Sequence, residues 1–316
     1  MKSKYHIFLF VGVLFLAVTI SNVTNKDSSL FSSALGEAEG GSQPVQSNTF
    51  FDASLSSLDL VEVREGPSRD WNVLDPKLSL QGVLIQSIDD GFPYYHYNTY
   101  KAWPTASLTK LLTAVIVLED IGGREKIIVT ERAVNAEGSS GGLREGEQYR
   151  VEDLVKILLI ASSNDAAITF EDHVGGVHEF IRLMNKKAGE LGMSRSIFND
   201  ASGLSDLNLS TASDILRLIR YVLEEHPNIL TWTRMPSFLV QPLNSVDSRI
   251  IYNVNPIASR SDFLGGKTGT SQAALQNLVS LFSYKGKRMV MVILGSWNRV
   301  KDAEDLLGWI DRAYSL

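Results

Sequence analysis

Ser107 is the only serine in this sequence followed three residues later by a lysine, Lys110, within the run Trp103-Pro104-Thr105-Ala106-Ser107-Leu108-Thr109-Lys110. Residues three apart share a helix face. Leu108, Leu111, Leu112, Val115, Leu118 and Ile121 recur at three- and four-residue steps. The spacing predicts an amphipathic helix with Ser107 in its first turn and Pro104 and Thr105 at its start. A serine hydroxyl becomes a nucleophile when a neighbour takes its proton, and a lysine takes it only if its own pKa falls towards the working pH. A fall from ~10.4 to ~7.5 costs about 4 kcal/mol. A second cation about 5 Å away supplies roughly 3 kcal/mol at an effective dielectric of ~20, and desolvation supplies the remainder. The chemistry therefore calls for another lysine close to Lys110.

Two more motifs follow in chain order, Ser162-Ser163-Asn164 and Lys267-Thr268-Gly269. Each is weak alone, since S-x-N most often caps a helix and K-T-G most often makes a surface turn. Taken with S-x-x-K in this order, they match the serine acyl-transfer signature of penicillin-recognising enzymes.

These residues need elements to position them. Leu80 to Ile88 reads as a buried strand, Asp89-Asp90-Gly91 as a turn, and Pro93 to Tyr97 as a returning strand that leads into the nucleophile helix. Arg124 to Thr130 is a short β-like piece and Asn135 to Gly146 a Gly- and Ser-rich loop. Helical periods then cover Val151 to Ala161, Ala166 to Phe170, Val177 to Leu191 and Thr211 to Leu223. Leu275 to Tyr284 and Arg288 to Leu294 form a second hairpin around Lys285-Gly286-Lys287, with Lys267-Thr268-Gly269 entering its first strand. A last helix, from about Val300, carries Ala303, Leu306, Leu307, Ile310 and Ala313 on one face. Strands at both ends and helices between them predict an α+β fold: one antiparallel sheet built from the two chain ends, flanked by helices, with an inserted all-helical lobe.

The 316 residues are 44% hydrophobic and 21% charged with a net charge of −6, which leaves no basic excess for nucleic acid. There is no cysteine, which excludes a thiol nucleophile, a disulfide frame and a thiolate metal site. Lys2 and Lys4 precede an apolar run from Ile7 to Ile20, so residues 1–21 read as an export signal, either a cleaved peptide or a retained membrane anchor. Residues 22–77 read as an extracytoplasmic linker, disordered in part, and 78–316 as the catalytic domain. The expected location is outside the cytoplasm.

From about Leu78 to Leu316 the chain resembles the low-molecular-mass penicillin-binding proteins, the bacterial serine-type D-alanyl-D-alanine carboxypeptidase family that trims peptidoglycan. Beyond the three motifs, Leu143-Arg144-Glu145-Gly146-Glu147, Ala161 to Ala167, Leu191-Gly192-Met193 and Phe198-Asn199-Asp200-Ala201-Ser202-Gly203-Leu204 are similar to that family's intervening segments. The resemblance implies a β-lactamase/transpeptidase-like fold and removal of the terminal D-alanine from stem peptides through an acyl-serine, with β-lactams as acylating inhibitors. It implies Ser107 as nucleophile, Lys110 as general base, Ser162 as the proton relay to the leaving amine and Asn164 as a bond to the substrate peptide. Lys267 would lower its neighbours' pKa values and, with Thr268, attract a carboxylate. Gly269 would leave the strand edge clear for substrate, and the amides of Ser107 and Thr270 would form the oxyanion hole. Arg299 would add a forked bond to the terminal carboxylate. No cofactor or metal is implied.

Many family members have His after K-T-G, where this chain has Thr270. Many also carry a C-terminal β-rich domain, whereas this chain stops at Leu316, so the likeness leans to the shorter members, some of them endopeptidases that cut cross-links. A class A β-lactamase would need an E-x-x-L-N string that is missing between Asn164 and Lys267. An inactive wall-binding module would not need the reactive groups. His173, His178 and Glu179 fit no H-E-x-x-H pattern, and no G-x-S-x-G elbow supports a serine-histidine triad.

Overall fold

The structure is a computed structural model and describes residues 66–315. The expected export segment, and residues 22–65 of the expected linker, lie outside the described residues. In chain order come β1 (Ser68–Arg69), β2 (Gly82–Ser87), β3 (Pro93–Tyr97), β4 (Trp103–Pro104), a 3₁₀ turn (Ala106–Thr109), α1 (Lys110–Asp120), β5 (Lys126–Ile128) and α2 (Glu131–Val134). Next are β6 (Gln148–Arg150), α3 (Val151–Ile160), α4 (Asn164–His173), α5 (Val177–Glu190), β7 (Leu209–Ser210), α6 (Ala212–Glu225) and α7 (Pro227–Arg234). The chain continues through β8 (Ser237–Val240), β9 (Arg249–Tyr252), β10 (Phe263–Ser271), β11 (Leu275–Tyr284), β12 (Lys287–Ser296), α8 (Arg299–Ala313) and β13 (Tyr314–Ser315).

The main sheet is antiparallel in the order β10-β11-β12-β2-β3, so the two ends of the chain build it together, as the strand pattern predicts. Alternate residues of a strand face opposite sides. On β12, Val290, Val292 and Leu294 face the helical lobe, while Met289, Met291 and Ile293 meet Leu306, Trp309 and Ile310 of α8. Burial on both faces explains why β12 reads as one continuous apolar run; each large side chain it hides contributes about 1.5–3 kcal/mol.

Three expectations change. The segment assigned to the end of the linker is part of the folded body, because β1 pairs with β13 and Trp309 Nε1 donates to Leu74 O at 2.9 Å. K-T-G does not enter the hairpin but lies inside a strand of its own, β10, at the sheet edge. Its run Gly265-Gly266-Lys267-Thr268-Gly269 has three glycines, no aromatic residue and only Thr268 as a β-branched one, so it does not show the pattern that marks a strand in sequence. Finally, α1 is not amphipathic, since every residue from Lys110 to Val117 is buried.

Candidate active site

The nucleophile turn is held from the sheet. Buried Asn277 of β11 donates through Nδ2 to the carbonyls of Pro104 (2.8 Å) and Thr105 (3.1 Å), and its Oδ1 accepts from Gly295 N at 2.8 Å. Thr105 holds the N-cap position of the 3₁₀ turn but makes no side-chain capping bond: its hydroxyl pairs with that of Thr109 at 2.8 Å and reaches Asn208 O at 3.1 Å. Ala106, just before the nucleophile, sits at φ +46°, a left-handed conformation that costs a non-glycine residue ~1–3 kcal/mol and must be over-determined by its surroundings. Gly269 contributes to that. A Cβ there would lie 2.7 Å from Thr105 O and 3.1 Å from Ser107 N, so β10 approaches the turn too closely for any side chain. The glycine of K-T-G is thus required by the nucleophile turn, whereas the sequence reading assigned its lack of a side chain to the substrate path.

Ser107 and Lys110 meet as their spacing predicts, with Lys110 Nζ donating to Ser107 Oγ at 3.1 Å. The amine also donates to Asn164 Oδ1 at 2.7 Å and to Ser202 O at 2.5 Å. Lys110 is fully buried. Burial pushes its pKa down to about 7, against the opposing pull of Asp200 and Asp165. The sequence argument gave the leading part to a second cation, but desolvation dominates here because no face of the amine remains open to solvent.

Ser162 follows α3 in a left-handed conformation (φ +57°), and its Oγ accepts from Lys267 Nζ at 2.9 Å. Lys267 also donates to Thr268 O at 2.9 Å. Burial, then the charges of Lys110 and Arg299, hold its amine well below the ordinary lysine range. Asn164 also contacts the lysine: its Oδ1 accepts from Lys110 and its Nδ2 donates to Glu137 O at 2.7 Å, so it helps to position Lys110. Arg299 lies against the β10 edge. Its guanidinium donates to Gly269 O and Asn277 O, each at 2.8 Å, and to the Thr270 hydroxyl at 2.7 Å. Asp302, three residues on, accepts from Ser296 Oγ at 2.6 Å and does not pair with Arg299. The Thr270 side chain, which departs from the family's usual His, thus helps to hold Arg299.

Sequence reasoning missed Asn277, Asp165 and Asp200 as positioning groups. Asp165 shapes the loop wall by accepting from Gly141 N (2.8 Å), Leu143 N (3.2 Å), Ser140 Oγ (2.8 Å) and Ser163 Oγ. Its place directly after S-x-N was the available signal. For Asn277, amid an apolar strand, the signal was a buried amide that needs partners. Glu179, considered above for a metal, pairs with Arg182.

A sheet edge carrying Lys-Thr-Gly, facing a buried Ser-Lys pair and a Ser-x-Asn turn from a helical lobe, defines the active-site-serine class of penicillin-recognising enzymes. The sequence profile described as D-alanyl-D-alanine carboxypeptidase, of peptidase family S11, matches residues 82–298, and the chain belongs to that family. D-alanyl-D-alanine carboxypeptidase DacB2 of Mycobacterium tuberculosis is 27% identical over 247 residues, covering 77% of this chain and 80% of that protein. A D-alanyl-D-alanine endopeptidase of Pseudomonas aeruginosa is 27% identical over 246 residues, covering 75% of this chain and 79% of that one. Among solved structures, penicillin-binding protein D2 of Listeria monocytogenes in its cefotaxime-bound form superposes with a TM-score of 0.65 at 27% identity, covering 75% of this chain and 99% of that one.

Proposed function

We propose that this enzyme, a serine peptidase of the D-alanyl-D-alanine carboxypeptidase family, removes the terminal D-alanine from peptidoglycan stem peptides by way of a Ser107 acyl-enzyme. The observation that carries the reading is the contact between a buried Lys110, its pKa near 7, and the Ser107 hydroxyl. Lys110 takes the Ser107 proton as Oγ attacks the penultimate carbonyl. The amides of Ser107 and Thr270 receive the oxyanion, which is worth a few kcal/mol in the tetrahedral state. The proton taken by Lys110 passes by way of Ser162, bonded to Lys267, to the departing D-alanine amine; water then hydrolyses the ester, giving a proton to Lys110, which returns it to Ser107 Oγ. Lys267, Thr268 and Arg299 receive the substrate's carboxylate. That charge favours the ammonium form of Lys267, which burial alone disfavours.

β-Lactams would acylate Ser107 by opening onto the same geometry. The proposed setting is the cell wall outside the cytoplasmic membrane, with residues 1–21 as the export or anchoring segment; among the described residues no helix is long and apolar enough to cross a membrane. A second reading, endopeptidase action on cross-links, is favoured by the equal identity to the P. aeruginosa endopeptidase. Purified protein should release D-alanine from a pentapeptide ending in D-Ala-D-Ala faster than it cleaves a cross-linked dimer. The reverse order would establish the endopeptidase, and no reaction on either would reject both.

A further inference from the structure

The reaction leaves Asp200 unused, yet its carboxylate is densely bonded. It accepts from the Ser202 amide (2.7 Å) and hydroxyl (2.8 Å), the Gly203 amide (2.5 Å), the Ser205 amide (2.6 Å) and Asn208 Nδ2 (3.1 Å). The loop so wrapped turns its Ser202 carbonyl onto Lys110 Nζ. It also packs against the nucleophile turn: Gly203 is left-handed at φ +83°, and a Cβ there would fall 2.0 Å from Ala106 O. Thr113 Oγ1 of α1 donates to Ala201 O at 2.6 Å, and Glu171 accepts from Ala201 N at 3.0 Å, so the loop is fixed from three sides.

We propose that Asp200 is a positioning residue for the general base. It anchors the loop carbonyl that aims Lys110 at Ser107, and its negative charge sets how tightly Lys110 holds its proton. The inference rests on the acyl-serine reading above. The charges that bear on Lys110 are Asp200 and Asp165, which favour its ammonium, and Lys267, which opposes it. Lys187 of α5, Tyr221 of α6 and His226 bond Glu119, nine residues along α1 from Lys110, and the remaining groups around the helix are engaged elsewhere. The buried residues of α3 and α5 are apolar, Glu171 of α4 is engaged by Arg132 and Ala201, and Asp214 of α6 by Arg195 and Ser196.

The test is the pH dependence of acylation by penicillin G, followed by intact-protein mass, in the wild type, Asp200→Asn and Glu171→Gln. Loss of the anion disfavours the ammonium, so the acid limb of Asp200→Asn should move to lower pH by about half to one unit. Its plateau rate should fall roughly tenfold as the aim of the amine loosens. A purely structural role would let water reach Lys110 and move the limb to higher pH; that result, or an unmoved limb, overturns the proposal. Glu171→Gln removes a neighbouring carboxylate while keeping an oxygen to accept from Ala201 N, so it should leave the limb in place, whereas a downward shift equal to that of Asp200→Asn overturns the charge assignment. If Asp200→Asn does not fold, Asp200→Glu decides: the proposal expects a limb within about 0.3 unit of wild type with a lowered plateau, and a larger displacement overturns it. A wild type that is not acylated overturns the acyl-serine reading and this inference with it. A wild type acylated at Ser107 whose Asp200→Asn limb stays put overturns the role of Asp200 alone.

Discussion

The two walls of the cleft are charged in opposite ways. The helical-lobe wall encloses one lysine with acids, as Asp165 and Asp200 both act on the buried Lys110. The sheet-edge wall carries only basic groups, Lys267 and Arg299, and the charges of Arg299 and Lys110 add to burial in disfavouring the ammonium of Lys267. Burial lowers both lysines, but only Lys110 has carboxylates to hold it near neutrality. We propose that the lobe wall exchanges a proton and the sheet wall receives an anion. In that reading a substrate carboxylate would supply the negative charge that the sheet wall lacks, coupling recognition to the protonation of Lys267.

The largest expected effect tests the lobe wall. Lys110→Arg keeps a cation but cannot release a proton at working pH, so acylation by penicillin should fall about 10³-fold. Near-normal acylation, measured as adduct formation against time, would place the base elsewhere. On the sheet wall, Arg299→Ala should slow turnover of a free-carboxylate pentapeptide roughly 30-fold more than that of its amide or ester, the scale of one charge-assisted hydrogen bond. Equal losses would remove Arg299 from anion recognition and leave it as a brace for β10.

How far this division was legible beforehand varies residue by residue. Ser107, Lys110, Ser162 and Lys267 converge as motif order predicts, because S-x-x-K is local to one turn, S-x-N joins α3 to α4, and K-T-G lies on the edge strand of the sheet. The sheet built from both chain ends was legible from strands at either end of a helical middle. The K-T-G strand was not, because its glycines serve close approach, of Gly269 to the Ser107 turn, Gly265 to Leu230 and Gly266 to Val279, and so erase the strand pattern. Asn277 and Asp165 escaped notice because they act on backbone groups of loops distant in sequence, and Asp200 because its bonds stay within its own loop, whose approach to Lys110 only the fold creates. The linker boundary was missed because residues 68–75 fold through pairing with β13 and a bond from α8, far along the chain.

Two smaller effects sharpen the comparison. Asn277→Ala strips three bonds from buried groups, so stability should fall by about 1–3 kcal/mol in denaturant unfolding, with acylation reduced as the Ser107 turn loosens. A loss under about 0.5 kcal/mol would mean that the sheet does not anchor the turn. The pH dependence is gentler. Lys110 titrates near 7 in the folded protein and at its ordinary 10.5 when unfolded, and Lys267 is displaced in the same direction. Between those values the unfolded chain binds more protons, so these two lysines make stability rise with pH from about 7 towards 10. A flat or falling contribution, taken as the difference from a Lys110→Met variant, would show that Lys110 is not held neutral by burial.

The central claim, that Ser107 forms the acyl-enzyme, is tested most directly by intact-protein mass after penicillin G treatment, followed by peptide mapping. The account predicts one adduct with the mass of the whole antibiotic, carried on the peptide that contains Ser107 and absent from Ser107→Ala. An adduct that persists in Ser107→Ala, or that maps to Ser162 or another residue in the wild type, would contradict it.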